Sequence, residues 1–547
     1  MIAKEITYSM DAKMKLKKGV DKLANAVKVT LGPSGRNVLL ERQYTQPHIT
    51  KDGVTVARDI ILEDPIENMG ATMVKSVASK TNDLAGDGTT TATVLAQAMF
   101  NEGYQLVATG SNPMFMKKGM DLYVKEVSDI LKKISTKIDY SSKELNQIAT
   151  ISANGDVEIG KHIADAINVV KSDGEVTIED ARGVMTEIDI VQGMQFDKGY
   201  ESPYFVTDID KMEAVYEDAY ILLYDGKIEN INDIVPLLES LKRINKPLLI
   251  VTSTIIGDAL QTIILNRVKA QMPIVVVTAP SFGDNRKDIM EDISYVIGGR
   301  VISPELDDNL NDITFDDLGR ASKIVVNQKS TLIIDGKGTM IDERVKSIKT
   351  KLENSELNDY DKNNLKSRLA KLTGGVAVIK VGAASDVELK EKKDRYIDAL
   401  SATKAAMEEG VVPGGGIALL LAQMILEEKY GKFDMDDVSL GMRLVNDAIS
   451  APLRNIITNG GYSYDVIFNN IKDKFSKTKN KLEFNYGFDA LVGTYGNMYK
   501  LGIIDPTKVT RVALENAVSV SSMLLTTECV VNDIPKEEKP LMPNQLM

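Results

Sequence analysis

The chain has 547 residues, 43% of them hydrophobic and 26% charged; this suits a soluble globular protein too long for one core, so roughly three domains are expected. The 66 basic and 78 acidic residues leave a net charge of −12, which argues against a nucleic-acid binder, and no apolar run approaches the roughly 20 residues that span a bilayer. With 2 histidines and 1 cysteine there is almost no material for a His-based triad, a zinc site, a haem ligand set or an internal disulfide, so catalysis must run on carboxylates, hydroxyls, lysine and metal.

In chain order, Met1-Ile2-Ala3-Lys4-Glu5-Ile6 has neither a signal-peptide core nor an Arg-rich transit helix, and with the lone Cys529 this makes a reducing cytoplasm the expected compartment. Met14, Leu16, Val20, Leu23 and Val27 predict a helix over 11–30, stopped by the breaker Leu31-Gly32-Pro33-Ser34-Gly35. A short strand at 37–41 precedes a loop, and helical patterns then dominate to about residue 135. Within them the run 82–91 ends Gly86-Asp87-Gly88-Thr89-Thr90-Thr91, at the mouth of a helix whose apolar face begins with Val94, Leu95, Ala98 and Met99. Glycines let successive N–H groups converge on an anion, and the open N–H groups of a helix start point at the same place. Three hydroxyls can donate to phosphate oxygens while Asp87 holds a divalent cation. A helix cap needs only one such residue. The run therefore reads as a nucleotide triphosphate site, built without a Walker lysine or a G-x-G-x-x-G fingerprint.

The apolar runs at 246–251 and 273–277 are typical of buried parallel strands, and helical patterns at 231–244, 257–270 and 284–297 alternate with them, the mark of a small α/β domain. Gly193 before it and Gly374-Gly375 after it suit hinges as well as turns. A strand at 376–382 and a long charged helix containing Asp398 follow, and from about residue 410 the helical character of the first segment returns. The order is nested: the chain leaves a first domain, visits two others and comes home.

With these pieces placed, the chain resembles the group I chaperonins, the GroEL type, over nearly its whole length. The matching segments are Thr30-Leu31-Gly32-Pro33, Thr50-Lys51-Asp52-Gly53, 85–91, 193–197, Ser202-Pro203-Tyr204-Phe205, 370–384, Asp398-Ala399-Leu400, Gly414-Gly415-Gly416 and 502–510. The resemblance implies a multidomain α/β and α fold: a mostly helical equatorial domain (1–136 and 410–547), a small α+β intermediate domain (137–192 and 376–409) and an α/β apical domain (193–375). It also implies an ATPase that uses Mg²⁺ and K⁺, homo-oligomeric seven-membered rings around a folding chamber, and a lid-like co-chaperonin. Clients would be non-native polypeptides, with neither nucleic acid nor membrane as a partner.

By the same resemblance, Asp87 coordinates Mg²⁺, and Asp398 positions the attacking water with Asp52 assisting. Thr30, Leu31, Gly32, Pro33, Lys51, Gly88, Thr89, Thr90, Thr91 and Gly415 wrap the phosphates and ribose. Asp505 takes the ribose hydroxyls, and Asp489, Ala490 and Leu491 line the base. Because Asp398 is expected on a different domain from Asp87, hydrolysis would require closure. Tyr200, Tyr204, Phe205, Val235, Leu238, Leu241, Ile264 and Leu265 match the family's client and co-chaperonin groove, although the stripe on 231–241 reads equally as a buried helix face.

This chain departs from the family at several points. Ser34 follows Gly-Pro, and Asp489 stands where Asn is usual. A lysine-rich insertion at 472–481 reads as a solvated hairpin, and Tyr462 and Ser463 replace carboxylates expected between rings, which predicts weakened ring–ring association. The tail 534–547 lacks the Gly-Gly-Met ending, a divergence that fits a bacterial-virus origin. Two rival functions are a small-molecule kinase, which leaves the apolar apical positions unexplained, and an ATP-binding holdase without encapsulation.

Overall fold

The computed structural model describes residues 4–41, 47–138, 143–153, 155–170, 175–181, 183–191, 193–209, 211–352 and 359–533. The tail on which the virus-origin expectation rests lies outside them. The chain forms two compact units, Met1–Ala164 with Lys390–Met547, and Asp165–Leu389. The segments expected as an intermediate domain are thus shared out: 137–164 and 390–409 go with the terminal parts of the chain, and 165–192 and 376–389 with its middle.

Strand β1 (Lys4–Tyr8) leads into helix α1 (Ser9–Val27), which buries Leu16, Val20, Leu23 and Val27 at helical spacing and tightens into a 3₁₀ turn at Lys28–Thr30. The short strands β2 (Val38–Leu40) and β3 (His48–Thr50) pair antiparallel. Helices α2 (Gly53–Asp59), α3 (Pro65–Ala85), α4 (Thr89–Ala108) and α5 (Pro113–Ile134) follow, two of them started by proline behind an Asp64 or Asn112 cap. Helices α6 (Lys143–Ser152) and α7 (Val157–Val170) come next.

The middle of the chain carries β4 (Glu175–Asp180), β5 (Glu187–Val191), β6 (Gly193–Phe196), β7 (Ala214–Ile228), α8 (Val235–Ile244), β8 (Leu248–Ile255), α9 (Gly257–Lys269), β9 (Ile274–Thr278) and α10 (Gly283–Ile297). Then come β10 (Val301–Ile302), β11 (Gly319–Val326), β12 (Thr331–Gly336), α11 (Ile341–Leu352), α12 (Asp359–Gly374) and β13 (Val376–Val381). Seven of these strands make one sheet in the order β6-β12-β11-β7-β8-β9, with β10 against β7. The parallel strands expected at 246–251 and 273–277 are β8 and β9, paired from Leu248↔Ile274 to Thr252↔Thr278 and buried on both faces. A smaller sheet, β4-β13-β5, completes the middle unit. Gly193 and Gly375 both lie inside this unit, where Gly375 (φ 64) makes the turn into β13 and Gly193 packs against Val376.

The last part holds α13 (Asp386–Glu409), β14 (Val411–Pro413), α14 (Ile417–Tyr430), α15 (Asp437–Ala448), α16 (Ala451–Asn459), α17 (Tyr464–Ser476), β15 (Tyr486–Asp489), β16 (Thr494–Asn497), α18 (Met498–Leu501), β17 (Ile504–Pro506), α19 (Thr507–Thr526) and β18 (Cys529–Asp533). Strand β18 pairs with β1, tying the two ends of the described chain together. Within this unit α1 crosses α3 at backbone contact: a Cβ on Gly19 would lie 1.7 Å from the Glu67 carbonyl oxygen, and one on Gly70 2.2 Å from that of Leu16.

The lysine-rich stretch 472–481 is no hairpin. It is the last turns of α17 and the start of a 3₁₀ turn, because Ile467, Ile471 and Phe475 keep their buried helical spacing through it while Lys472, Lys474 and Lys477 face solvent. Nearby, Tyr462 stacks edge-on against Phe488 with centroids 5.0 Å apart, and the Arg454 guanidinium lies 4.2 Å from the Tyr464 ring centre. Both groups are engaged within the chain.

In the middle unit α10, α11 and α12 are joined by one buried carboxylate. Asp292 is fully buried and accepts from Arg344 Nε (2.7 Å), Arg368 Nε (2.6 Å) and Arg368 Nη2 (2.9 Å). Asp292→Ala leaves two buried guanidinium groups facing each other and is expected to cost about 3–5 kcal/mol. Thermal unfolding beside Asp288→Ala, whose partly exposed carboxylate has water as a substitute, checks this: the Asp292 variant melts far lower.

Candidate functional site: a carboxylate-lined phosphate loop

Helix α3 ends where Gly86 turns left-handed (φ 69), and α4 begins behind Gly88 (φ 83), so Asp87 sits between two residues whose backbone favours glycine. Side chains would not fit here. A Cβ on Gly86 would meet Ser401 of α13 at 2.1 Å, and one on Gly88 would meet Val509 of α19 at 2.6 Å. Gly53, at the start of α2, lies so close to Thr90 that its Cβ would fall 2.2 Å from the hydroxyl. Three separate segments therefore converge on 86–90, each by a side chain pressed against glycine backbone. The α4 cap has no side chain accepting from its first N–H groups, so the positive end of a 20-residue helix stays open to an anion.

Asp52 caps α2, accepting from Val54 N (3.0 Å), Thr55 N (2.8 Å) and the Thr55 hydroxyl (2.6 Å). Its oxygens are thus committed to its own loop, and it reaches the site as a fixed negative charge. Lys51 beside it is exposed. The Thr30–Pro33 turn is held from outside: Asn459 Nδ2, at the end of α16, donates to the carbonyls of Lys28 (3.0 Å) and Leu31 (2.9 Å). The Thr30 hydroxyl donates back to Val27 (2.9 Å), which spends its proton inside the turn. Strands β14 and β17 pair Val412 with Asp505, so the 414–416 glycines and the Asp505 carboxylate come together, and Gly415 N–H donates to it. Asp489 accepts from Leu491 N (2.8 Å) and shapes the tip of the β15–β16 hairpin, with Ala490 buried and Leu491 exposed. That tip reaches the Thr30–Pro33 side, since a Cβ on Gly460, the residue after Asn459, would lie 3.2 Å from the Ala490 carbonyl oxygen.

Electrostatics binds these pieces together. Burial, then the charge of Asp52, holds the Asp87 carboxyl above the usual range, with the Gly88 N–H offsetting part of the shift. Burial, then Asp87, Asp52 and Asp394, holds Asp398 well above it. Burial, then Asp87, pushes Asp505 up to about 6. The charges that raise all three are other aspartates. Such a cluster calls for a cation, and the donor set fits Mg²⁺ carried by one carboxylate with phosphates and water. No group of three or more ligating side chains is assembled among the described residues, so an all-protein metal cage is excluded there. ATP fits the same loop through its phosphates, because the glycine cradle and open N–H groups supply donors without bulk.

The structure brings Asp52, Asp87, Asp398, Asp505, Gly88–Thr91 and Gly415 to one place. Asn459 is the residue missed; in sequence it is indistinguishable from an ordinary asparagine at a helix end. The groove expectation needs correction. Phe205 and Leu241 are fully buried and Leu238 is 6% exposed, because the apolar stripe of α8 and the 3₁₀ turn at Pro203–Phe205 pack onto the sheet. Tyr204 (67%) and Leu265 (51%) are open, Tyr200, Val235 and Ile264 are half-buried, and Val268 (55%), one turn after Leu265, joins the open side.

These are the units of a chaperonin. The chain belongs to the TCP-1/cpn60 chaperonin family, whose model matches residues 23–535. Among solved structures it is similar to the chaperonin gp146 from bacteriophage EL 2 (Pseudomonas aeruginosa), crystallised in the presence of ATP-BeFx. One crystal form gives a TM-score of 0.68 at 19% identity, covering 96% of this chain and 98% of that one. A second gives 0.62 at 19% identity, covering 97% and 99%. The shared fold runs nearly the full length of both chains.

The raised Asp505 carboxyl has a measurable consequence. The unfolded chain releases this proton near the ordinary value of 3.8 and the folded chain near 6, so stability falls as pH rises across that window. Asp505→Asn carries no charge and escapes the loss. In calorimetry of the nucleotide-free protein its midpoint is expected to lie above the parent's at about pH 7.5, where the difference in unfolding free energy is at most about 3 kcal/mol, and to match it at about pH 4.

Proposed function

We propose that this protein is an ATP-dependent chaperone that captures non-native polypeptides on an apolar face of its α/β unit and promotes their folding in a ring chamber. The observation that carries the reading is the like-charged set Asp52, Asp87 and Asp398 at the open start of α4, an arrangement suited to a metal-bound polyphosphate. Members of this family are ATPases, and the phage chaperonin gp146 was crystallised in the presence of ATP-BeFx.

In this reading the α4 N–H groups and the Thr89–Thr91 hydroxyls bind phosphate oxygens, with Lys51 as a nearby exposed cation. Asp87 would hold Mg²⁺, with K⁺ as a further cation; when bound, these ions would neutralise phosphate charge that the carboxylates otherwise repel. Asp398 orients water and takes its proton, a task that its raised affinity for protons suits. Asp505 holds the ribose hydroxyls, and the Asn459-pinned turn with the 489–491 tip encloses the base. Asp52 fixes the α2 start and the local field.

Clients would be bound through Tyr204, Leu265 and Val268, with Tyr200, Val235 and Ile264 at the margins. Exposed apolar surface needs no sequence code to hold another such surface, and repetition around a ring multiplies weak binding. Assembly with further copies, in seven-membered rings by the family's pattern, is the reading for the β2–β3 pair, whose exposed apolar side chains call for a partner but do not set the number of subunits. Its opposed pair Leu39 and Ile49 is 65% and 59% exposed, and a lone two-stranded hairpin is marginal in water without a further partner. A lid-like co-chaperonin, weakened ring–ring contact and a cytosolic setting in a bacterial host infected by a virus complete the proposal.

Asp398→Ala should retain ATP affinity within about threefold and lose about 100-fold or more in turnover, read by calorimetric titration and phosphate release. Near-parental hydrolysis would sink the role of Asp398. Tyr204→Glu should abolish retention of a denatured client while ATPase and melting stay at parental values. Leu238→Glu, by contrast, should lower the melting temperature, since it places a charge in the core. Refolding yield with and without ATP separates a folding cycle from a holdase.

A further inference from the structure

His162 is one of 2 histidines in the chain, and its Nδ1 shares a hydrogen bond of 2.6 Å with the hydroxyl of Tyr396. The two rings lie nearly parallel, at 10°, and Tyr396 is among the largest fully buried side chains in the structure. His162 stands on α7 and Tyr396 on α13, two residues before Asp398. The contact is reinforced next door, where Arg395 reaches Asp156, the residue before α7, at 3.5 Å.

Two residues on a helix are about 200° apart, so Tyr396 and Asp398 point to opposite sides of α13. The Asp398 side also carries Ser401 and Ala405, one and two turns on. Ser401 meets Gly86 of the phosphate loop, and Ala405 packs with Ala85, Val509 and Val512. The Tyr396 side is held by α7. The helix that carries Asp398 is thus gripped from behind by a directional polar contact. A buried phenylalanine would fill the same space, and a buried hydroxyl costs stability unless bonded, so the pair contributes a defined rotation more than it contributes stability. A carboxylate about 5–6 Å from the helix axis shifts by about 1 Å for a 10° rotation. Misplacement on that scale is enough to lower a rate severely.

We infer that His162 and Tyr396 are positioning residues for Asp398, setting the rotation of α13 and so the depth at which the carboxylate enters the phosphate loop. The inference rests on the ATPase reading above. Tyr396→Phe and His162→Ala should each lower kcat about tenfold with KM for ATP within about twofold; melting should change little in Tyr396→Phe and fall in His162→Ala, which strips the buried Tyr396 hydroxyl of its His162 partner. The double variant should be no worse than the worse single one, because both remove one bond. His162→Asn, which keeps a polar atom where Nδ1 stood, should recover most of the rate. In an Asp398→Asn background Tyr396→Phe should cost nothing further. A Tyr396→Phe enzyme at the parental kcat overturns the inference, as does a fall in kcat that only tracks a fall in melting temperature across the set. Absence of hydrolysis by the unmodified protein would instead bring down the ATPase reading, and the inference with it.

Discussion

The carboxyl groups of Asp52, Asp398 and Asp505 each lie in electrostatic reach of Asp87, at a loop where glycine backbone leaves no room for a covering side chain. Burial and mutual repulsion raise Asp87, Asp398 and Asp505 above their usual range. A fold tolerates such a cluster only if the rest of the molecule over-determines it. Much of the helical unit can be understood as that support. Three segments approach Gly53, Gly86 and Gly88 at distances no side chain permits, Asn459 pins a fourth, and the β14–β17 pairing delivers a fifth. The stability forgone at the loop is a store of affinity for whatever brings positive charge to it.

The same logic explains how the site is divided among elements. Asp87 belongs to a loop between two helices and takes its place from local turn chemistry. Asp398 belongs to the middle of a 24-residue helix and takes its place from whatever orients that helix. The first is precise because φ is restricted; the second is precise only if α13 is held on more than one side. Ser401 and Ala405 on the loop side, and Tyr396 on the α7 side, supply that grip. Two carboxylates that share a field are thus positioned by two independent devices, and each can be perturbed separately.

In the middle unit the dominant device is the fully buried sheet. Strands β8 and β9 hide both faces, so the amphipathic helices on either side spend their apolar stripes on the sheet, and Leu238 and Leu241 become core. What is left exposed is the residue next to the stripe: Tyr204 beside buried Phe205, Leu265 beside Ile264. The Asp292–Arg344–Arg368 cluster fixes three helices of this unit through one carboxylate, so its geometry is set by directional bonds as well as by apolar burial.

Much was legible in the sequence where local rules decide. Helix α1 followed from its 3.6-residue period, β8 and β9 from short continuous apolar runs between helical patterns, and the Gly86-Asp87-Gly88-Thr89 loop from a composition that exceeds what capping needs. The segments matched to the chaperonin family fixed the fold class before any coordinates. What the sequence did not contain was the direction each element faces. The stripe on α8 is identical whether it covers a sheet or lines a groove, and only packing assigned it to the core. The lysines at 472–481 suggested an exposed loop, while the buried spacing of Ile467, Ile471 and Phe475 carried the helix as far as Ser476. Asn459, His162 and Tyr396 have no local signature at all, since each acts on a segment far away in the chain. Periodicity and turn chemistry are properties of neighbours in sequence, and so the sequence alone determined the elements and the glycine loop between α3 and α4. Which faces are buried, which carboxylates share a field and which side chains hold them there are properties of neighbours in space, and only the tertiary structure decided them.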